Sequence, residues 1–180
     1  MSRNISILHK VKHILDSYYL YALYCTLVLP YITYSCEIWG GTYETSLANV
    51  IRLQKKAIRM IDNVPFREHT APLFKKYKTL KFQDIVSLKT LCLIYAAQRE
   101  LLPEEIQTLF TNTDSIHKYN TRASSKGNFH TKYCRTKLKS MCISVQGVKL
   151  WNNLDVNIRN LNTLSSFKVT LKQHYINKYK

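Results

Sequence analysis

Apolar residues recur at helical spacing along most of the chain. Ile5, Leu8, Val11 and the pair Ile14/Leu15 fall on one face of a first helix. Asp16-Ser17 reads as a break and a new N-cap, followed by a helix from about Tyr18 to Leu29. Pro30 and the restriction on the residue before it should end or kink that helix, with an extended piece beyond. Trp39-Gly40-Gly41 reads as a turn. From about Thr45 to Ile61, Val50, Leu53, Ala57, Ile58 and Ile61 form an apolar face. Residues 63–69, with Pro65, predict a loop. A short helix near Thr70–Tyr77 follows, with Thr70 as cap and Pro72 in its first turn. Ile85, Leu88, Cys92, Tyr95 and Ala96, with Leu91 beside them, predict a core helix over 82–99. Leu102-Pro103-Glu104-Glu105 opens another short one, its acids suited to a helix N-terminus.

The pattern then changes. Residues 111–135 carry Asn, Thr, Ser and Lys where the earlier helices carry Leu and Ile, the composition of a linker or loop. Residues 136–154 turn apolar again. Met141, Ile143 and Val145 alternate with polar or small neighbours, as in a short strand over Lys139–Val145, and Gly147–Asn152 starts a helix. Ser165 or Ser166 should cap a last helix with Phe167, Leu171 and Tyr175 on one side. Trp39 and Trp151 read as core anchors. Only four Gly and four Pro argue against an all-β fold, which needs turn residues at regular intervals. The expected fold is mainly α: a small helical bundle with a basic, loop-rich C-terminal part that has room for a short strand or hairpin. The expected division is a helical domain over 1–110, a basic linker or loop over 111–135 and a small helical subdomain over 136–180.

Charge adds direction to this picture. The net charge is +16, from 27 Lys and Arg against 11 Asp and Glu, an excess that suits a polyanionic partner such as RNA or DNA. Residues 111–180 hold 13 of the cations and only 2 of the acids, so the excess is gathered toward one end. In the helix over 45–61, Arg52, Lys55, Lys56 and Arg59 fall at i, i+3, i+4 and i+7, opposite the apolar face. No acid interrupts this stripe, so pairing along the helix does not explain it. Residues 117–139 hold Lys118, Arg122, Lys126, Lys132, Arg135, Lys137 and Lys139 without an acid. His117, Tyr119, Phe129, His130 and Tyr133 are interleaved with them. Cations neutralise phosphates and aromatic faces stack on unpaired bases, the two needs of single-strand binding. A solvated loop with its aromatics tucked against helices accounts for the segment equally well.

Catalytic chemistry leaves little trace. Polymerases and nucleases hold metal with clustered carboxylates. Here Asp16, Asp62, Asp84, Asp114 and Asp155 are far apart and no Asp-Asp pair exists. There is no phosphate-cradling Gly loop and no Gly-flanked nucleophilic Ser. His117, His130, Cys134 and Cys142 match no common zinc-finger spacing, and His9 and His13 lack a third ligand. Neither a metal nor another cofactor is expected. Cys25, Cys36, Cys92, Cys134 and Cys142 are odd in number and contain no C-x-x-C, which suits reduced thiols in an intracellular protein of cytoplasm or nucleus. No charge lies between Asp16 and Glu37, but Tyr18, Tyr19, Tyr21, Tyr24, Tyr31 and Tyr34 are spread through that stretch. Tyr belongs at membrane interfaces, so a core helix is the better reading than a span.

Several segments together resemble one family. Tyr24-Cys25-Thr26-Leu27-Val28-Leu29-Pro30-Tyr31-Ile32-Thr33-Tyr34 and Glu37-Ile38-Trp39-Gly40 look like the stretch past the polymerase domain in jockey-like non-LTR retrotransposons. Leu53-Gln54-Lys55-Lys56-Ala57-Ile58-Arg59, Pro72-Leu73-Phe74, Leu80-Lys81-Phe82 and Leu101-Leu102-Pro103 follow in the same order. Tyr119-Asn120-Thr121-Arg122, Val148-Lys149-Leu150-Trp151-Asn152-Asn153-Leu154 and Phe167-Lys168 are similar to blocks near the end of such reading frames. The likeness spans nearly the whole chain. It implies a parent polypeptide with an endonuclease and a reverse transcriptase, an RNA-directed DNA polymerase whose paired aspartates lie upstream of anything here. Met1 then looks like a new start inside an old frame. No enzymatic activity is expected of the chain itself. What the resemblance implies is the role of a thumb and post-thumb region, holding template RNA or primer duplex.

Two functions remain open from the sequence. One is a non-catalytic nucleic-acid-binding fragment that contacts RNA or DNA through Arg52, Lys55, Lys56, Arg59, Lys118, Tyr119, Arg122, Lys132, Tyr133, Arg135, Lys137 and Lys139. The other is a protein-interaction module, or a functionless remnant, whose Tyr-rich 17–36 stretch seeks a partner such as the absent polymerase portion. Neither involves a membrane or a small-molecule substrate.

Overall fold

A computed structural model describes residues 1–116, 119, 121 and 126–179. The fold is mainly helical. Its helices are α1 (Ser2–Val11), α2 (Ser17–Leu27), α3 (Leu29–Thr33), α4 (Cys36–Trp39), α5 (Glu44–Ile61) and α6 (Ala71–Lys76). They continue with α7 (Phe82–Gln98), α8 (Glu104–Gln107), α9 (Lys137–Ser140), α10 (Val148–Asn152), α11 (Val156–Arg159) and α12 (Leu164–Asn177). Among the described residues the only extended pairing is an isolated antiparallel bridge between Asn112 and Phe129.

Packing divides the chain into two compact units. The first comprises Met1–Cys36, Tyr43–Ile85 and Lys172–Lys180; the second comprises Glu37–Thr42 and Val86–Leu171. The cut therefore does not follow the composition boundaries at 110 and 135. Residues 111–135 belong to the second unit, and the last turns of the chain to the first.

In the first unit α1, α2 and α5 pack together. Ile5 and Leu8 of α1 are buried, while Ile14, expected on the same face, is 81% exposed because α1 ends before it. Leu20, Tyr24, Val28, Ile32 and Cys36 are buried at intervals of four, an apolar row running from α2 through α3 to the first residue of α4. The extended piece expected after Pro30 is a helix instead. Pro30 stands in the first turn of α3, where no amide donor is needed, so the chain kinks at Val28 and resumes.

Helix α5 closes with a Schellman motif. Asn63 takes a left-handed φ of 50°, the Asn63 amide donates to the Met60 carbonyl and the Val64 amide to the Arg59 carbonyl. Lys78 after α6 and Glu100 after α7 repeat this arrangement. Three stops thus use residues other than glycine, and glycine scarcity is no bar to them.

The second unit is organised by rings. Phe110, Phe129, Trp151, Phe167 and Tyr95 form an unbroken series with centroid separations between 4.6 and 6.4 Å. Trp151 is fully buried, as expected of an anchor, whereas Trp39 is only half-buried. The strand expected over 139–145 is not formed. α9 ends at Ser140, and residues 143–147 make a π-helical turn leading into α10. Gly147 makes this possible: a Cβ there would come within 2.9 Å of Ile94 and Thr90 side-chain carbons of α7. The last helix is capped one turn earlier than expected, by Thr163, whose Oγ1 accepts from the Ser166 amide at 3.2 Å.

Candidate nucleic-acid interface

The stripe on α5 begins from the opposite side of the helix. Leu47, Gln54, Ala57, Ile58 and Ile61 are buried, while Val50 and Leu53 are half-buried. Gln54 sits at an apolar position of the repeat and is only 1% exposed. Its amide is satisfied throughout: Nε2 donates to Tyr24 Oη (3.2 Å) and the Leu80 carbonyl (3.0 Å), and Oε1 accepts from the Phe82 amide (2.8 Å). A buried amide so paired holds α5 in one orientation, since any displacement leaves several polar groups bare. The basic face is thereby aimed outward.

On that face Arg52, Lys55 and Lys56 are exposed and Arg59 is half-buried. Arg52 donates to Asn49 Oδ1 at 3.2 Å. Arg59 donates Nε to the Glu68 carbonyl at 2.8 Å, and its guanidinium stands 5.6 Å from the Phe66 ring centroid. Among the described residues none of the four forms a salt bridge. The nearest acid in sequence, Asp62, is engaged elsewhere, accepting from Lys76 Nζ (2.5 Å) and Tyr77 Oη (2.8 Å). Burial works to raise the Asp62 carboxyl, and these two donors outweigh it and hold it below its ordinary value.

Two clefts flank α5, and both are lined without any acid. The first, about 220 Å³, lies between α1 and the end of α5. His9 and Lys12 of α1 join Lys56 and Arg59 there, with Met60, Val64 and Phe66 as its apolar wall. The second, about 330 Å³, gathers Lys55, His69 and Lys81 around Phe74 and Phe82. His9, Lys12, His69 and Lys81 were not among the expected contacts. They are remote from α5 in sequence, and no local pattern marks them as its neighbours.

The second basic segment is divided by the structure. Lys132, Tyr133, Arg135, Lys137 and Lys139 are exposed, Tyr133 at 90%, and Tyr119 is 80% exposed. Lys137 and Lys139 stand on α9, which Thr136 caps. Lys118 and Arg122, like His117, lie outside the described residues. Phe129 does not belong with the exposed aromatics. It is 2% exposed within the ring series, and its backbone is bonded in both directions by the Asn152 side chain (3.1 and 2.8 Å). Arg159 is buried as well: it is 4% exposed and donates Nη1 to the Lys126 carbonyl and Asn128 Oδ1. Burial lowers its pKa, with Asp155 working against that shift. It tethers the 126–129 stretch.

Among the described residues, no three His, Cys, Asp or Glu side chains gather where a metal ion could be held. None of the described helices is long and apolar enough to cross a membrane. None of the five cysteines is in a disulfide, and burial pushes the thiol of Cys92 upward. No family model, no curated protein and no solved structure matches the chain.

Proposed function

We propose that the chain is a non-catalytic nucleic-acid-binding protein that holds RNA, or a primer paired to it, on the basic face of α5. The supporting observation is the pair of clefts, each lined without an acid, in which Lys55, Lys56 and Arg59 are joined by His9, Lys12, His69 and Lys81, with Arg52 exposed on the same helix. Fixed cations without carboxylates among them suit a phosphate backbone. The exposed Lys132, Tyr133, Arg135, Lys137 and Lys139 would add a second contact, on less regular backbone. The sequence resemblance to the post-polymerase region of jockey-like retrotransposon reverse transcriptases supports the same role, and with it a setting in cytoplasm or nucleus.

Titration of single-stranded RNA across a salt series tests this. Binding should weaken steeply with salt, and reversing Arg52, Lys55, Lys56 and Arg59 to Glu should cost about a hundredfold in affinity. An unchanged far-UV circular dichroism spectrum would show that the helix survives. Affinity indifferent to salt, or unaltered by the reversal, would remove this surface from the site.

A second reading is a protein-interaction module. Tyr18, Tyr19, Tyr31 and Tyr34 of the α2–α3 region are each more than half exposed, and such a set of rings suits a partner surface. Size-exclusion chromatography separates the readings: a clean monomer that binds RNA disfavours this one.

A further inference from the structure

The cleft between α1 and α5 differs from the rest of the basic face by joining cations to an exposed ring. Phe66 is 71% exposed, on the loop that the Schellman motif at Asn63 turns back toward the helix. The ring stands beside Lys12, Lys56 and Arg59 with its surface open to an aromatic partner. Arg59 is prepared in this setting. Its Nε is held by the Glu68 carbonyl and its Cζ stands 5.6 Å from the ring centroid, so the guanidinium is anchored at one end while Nη1 and Nη2 bond to none of the described residues. A fork of that kind matches two phosphate oxygens. Met60 and Val64 complete an apolar wall of a size and character suited to a base.

We propose that this cleft seats one unpaired nucleotide, its phosphate forked by Arg59 beside Lys12 and Lys56 and its base laid against Phe66. The inference rests on the reading of α5 as a nucleic-acid surface and goes beyond it, because it selects single strands over duplexes. A duplex keeps its bases stacked inside and offers only phosphates to α5. A single strand can turn one base outward onto the ring. Three separate cations position the phosphate, and a single aromatic carries the discrimination.

The test is fluorescence anisotropy with a labelled oligouridine and with a labelled RNA duplex, on the full chain and on Phe66→Ala, Phe66→Trp and Lys56→Ala. Phe66→Ala should weaken binding to oligouridine about tenfold and leave duplex binding unchanged. Phe66→Trp should restore it. The salt slope should stay constant in Phe66→Ala and fall by about one in Lys56→Ala. Equal losses on both nucleic acids, or none on oligouridine, would overturn the nucleotide pocket while leaving α5 as a phosphate surface. A native chain that binds neither would overturn both.

Discussion

In the first unit Arg52, Lys55 and Lys56 stand on an 18-residue helix whose far side is fastened by the Gln54 amide. In the second unit Lys132, Tyr133 and Arg135 stand on irregular chain, with Lys137 and Lys139 on a helix of four residues. The second unit's packed centre is elsewhere, in the rings from Phe110 to Tyr95. Both surfaces are cationic, but only the first holds its charges at fixed spacing. A phosphate backbone gains affinity from either kind, through counterion release. Positioning, and any distinction between one nucleic-acid form and another, requires the fixed kind.

The comparison can be broken at its foundations. Trp151→Ala should cost about 4 kcal/mol in urea unfolding, since a fully buried ring at the middle of the series leaves a cavity. Gln54→Leu should cost about 3 kcal/mol, because Tyr24, Leu80 and Phe82 would each lose a buried partner. If the leucine is neutral, the amide does not fasten α5, and the contrast between the two surfaces disappears.

Binding sharpens the comparison. Changing Lys132, Arg135, Lys137 and Lys139 together to Ala should weaken RNA binding about tenfold. The loss should be the same for single and double strands. A selective loss would mean that the irregular segment reads form after all. Filter binding on the two substrates would check it.

The smallest effect concerns pH. Burial, and for Tyr179 donation to Asp84, holds the Tyr24 and Tyr179 phenols above their usual pKa. The stability they contribute is complete below the unfolded value near ~10 and is lost as pH rises toward their folded values. At pH 10 the loss should be about 0.4 kcal/mol per ring. Tyr179→Phe should remove its share of that alkaline slope in urea titrations.

The helices over 44–61, 71–76 and 82–98 were legible because period, proline and cap signals agree there. The residues 139–145 were not: alternation of Met141, Ile143 and Val145 also occurs where short helical turns follow one another, and Gly147 packing against α7 decides it. Phe129 follows the alternative in which the aromatics of the segment tuck inward, a choice its polar neighbourhood left open. Gln54 could have been found, since it occupies an apolar slot between Leu47 and Ile61 in the helical repeat. The α5 stripe was readable from one helix alone. The clefts beside it were not, because α1 and the 66–69 and 81–83 stretches reach them only through tertiary packing.

Gln54 has one further consequence. Rolling α5 by a single residue would swing its side chains through about 100° and sever all three amide bonds together. The backbone proton of Phe82 should therefore be among the slowest in the first unit to exchange with deuterium. The compass bearing of the lysines is thus governed by a neutral side chain that is itself almost wholly buried.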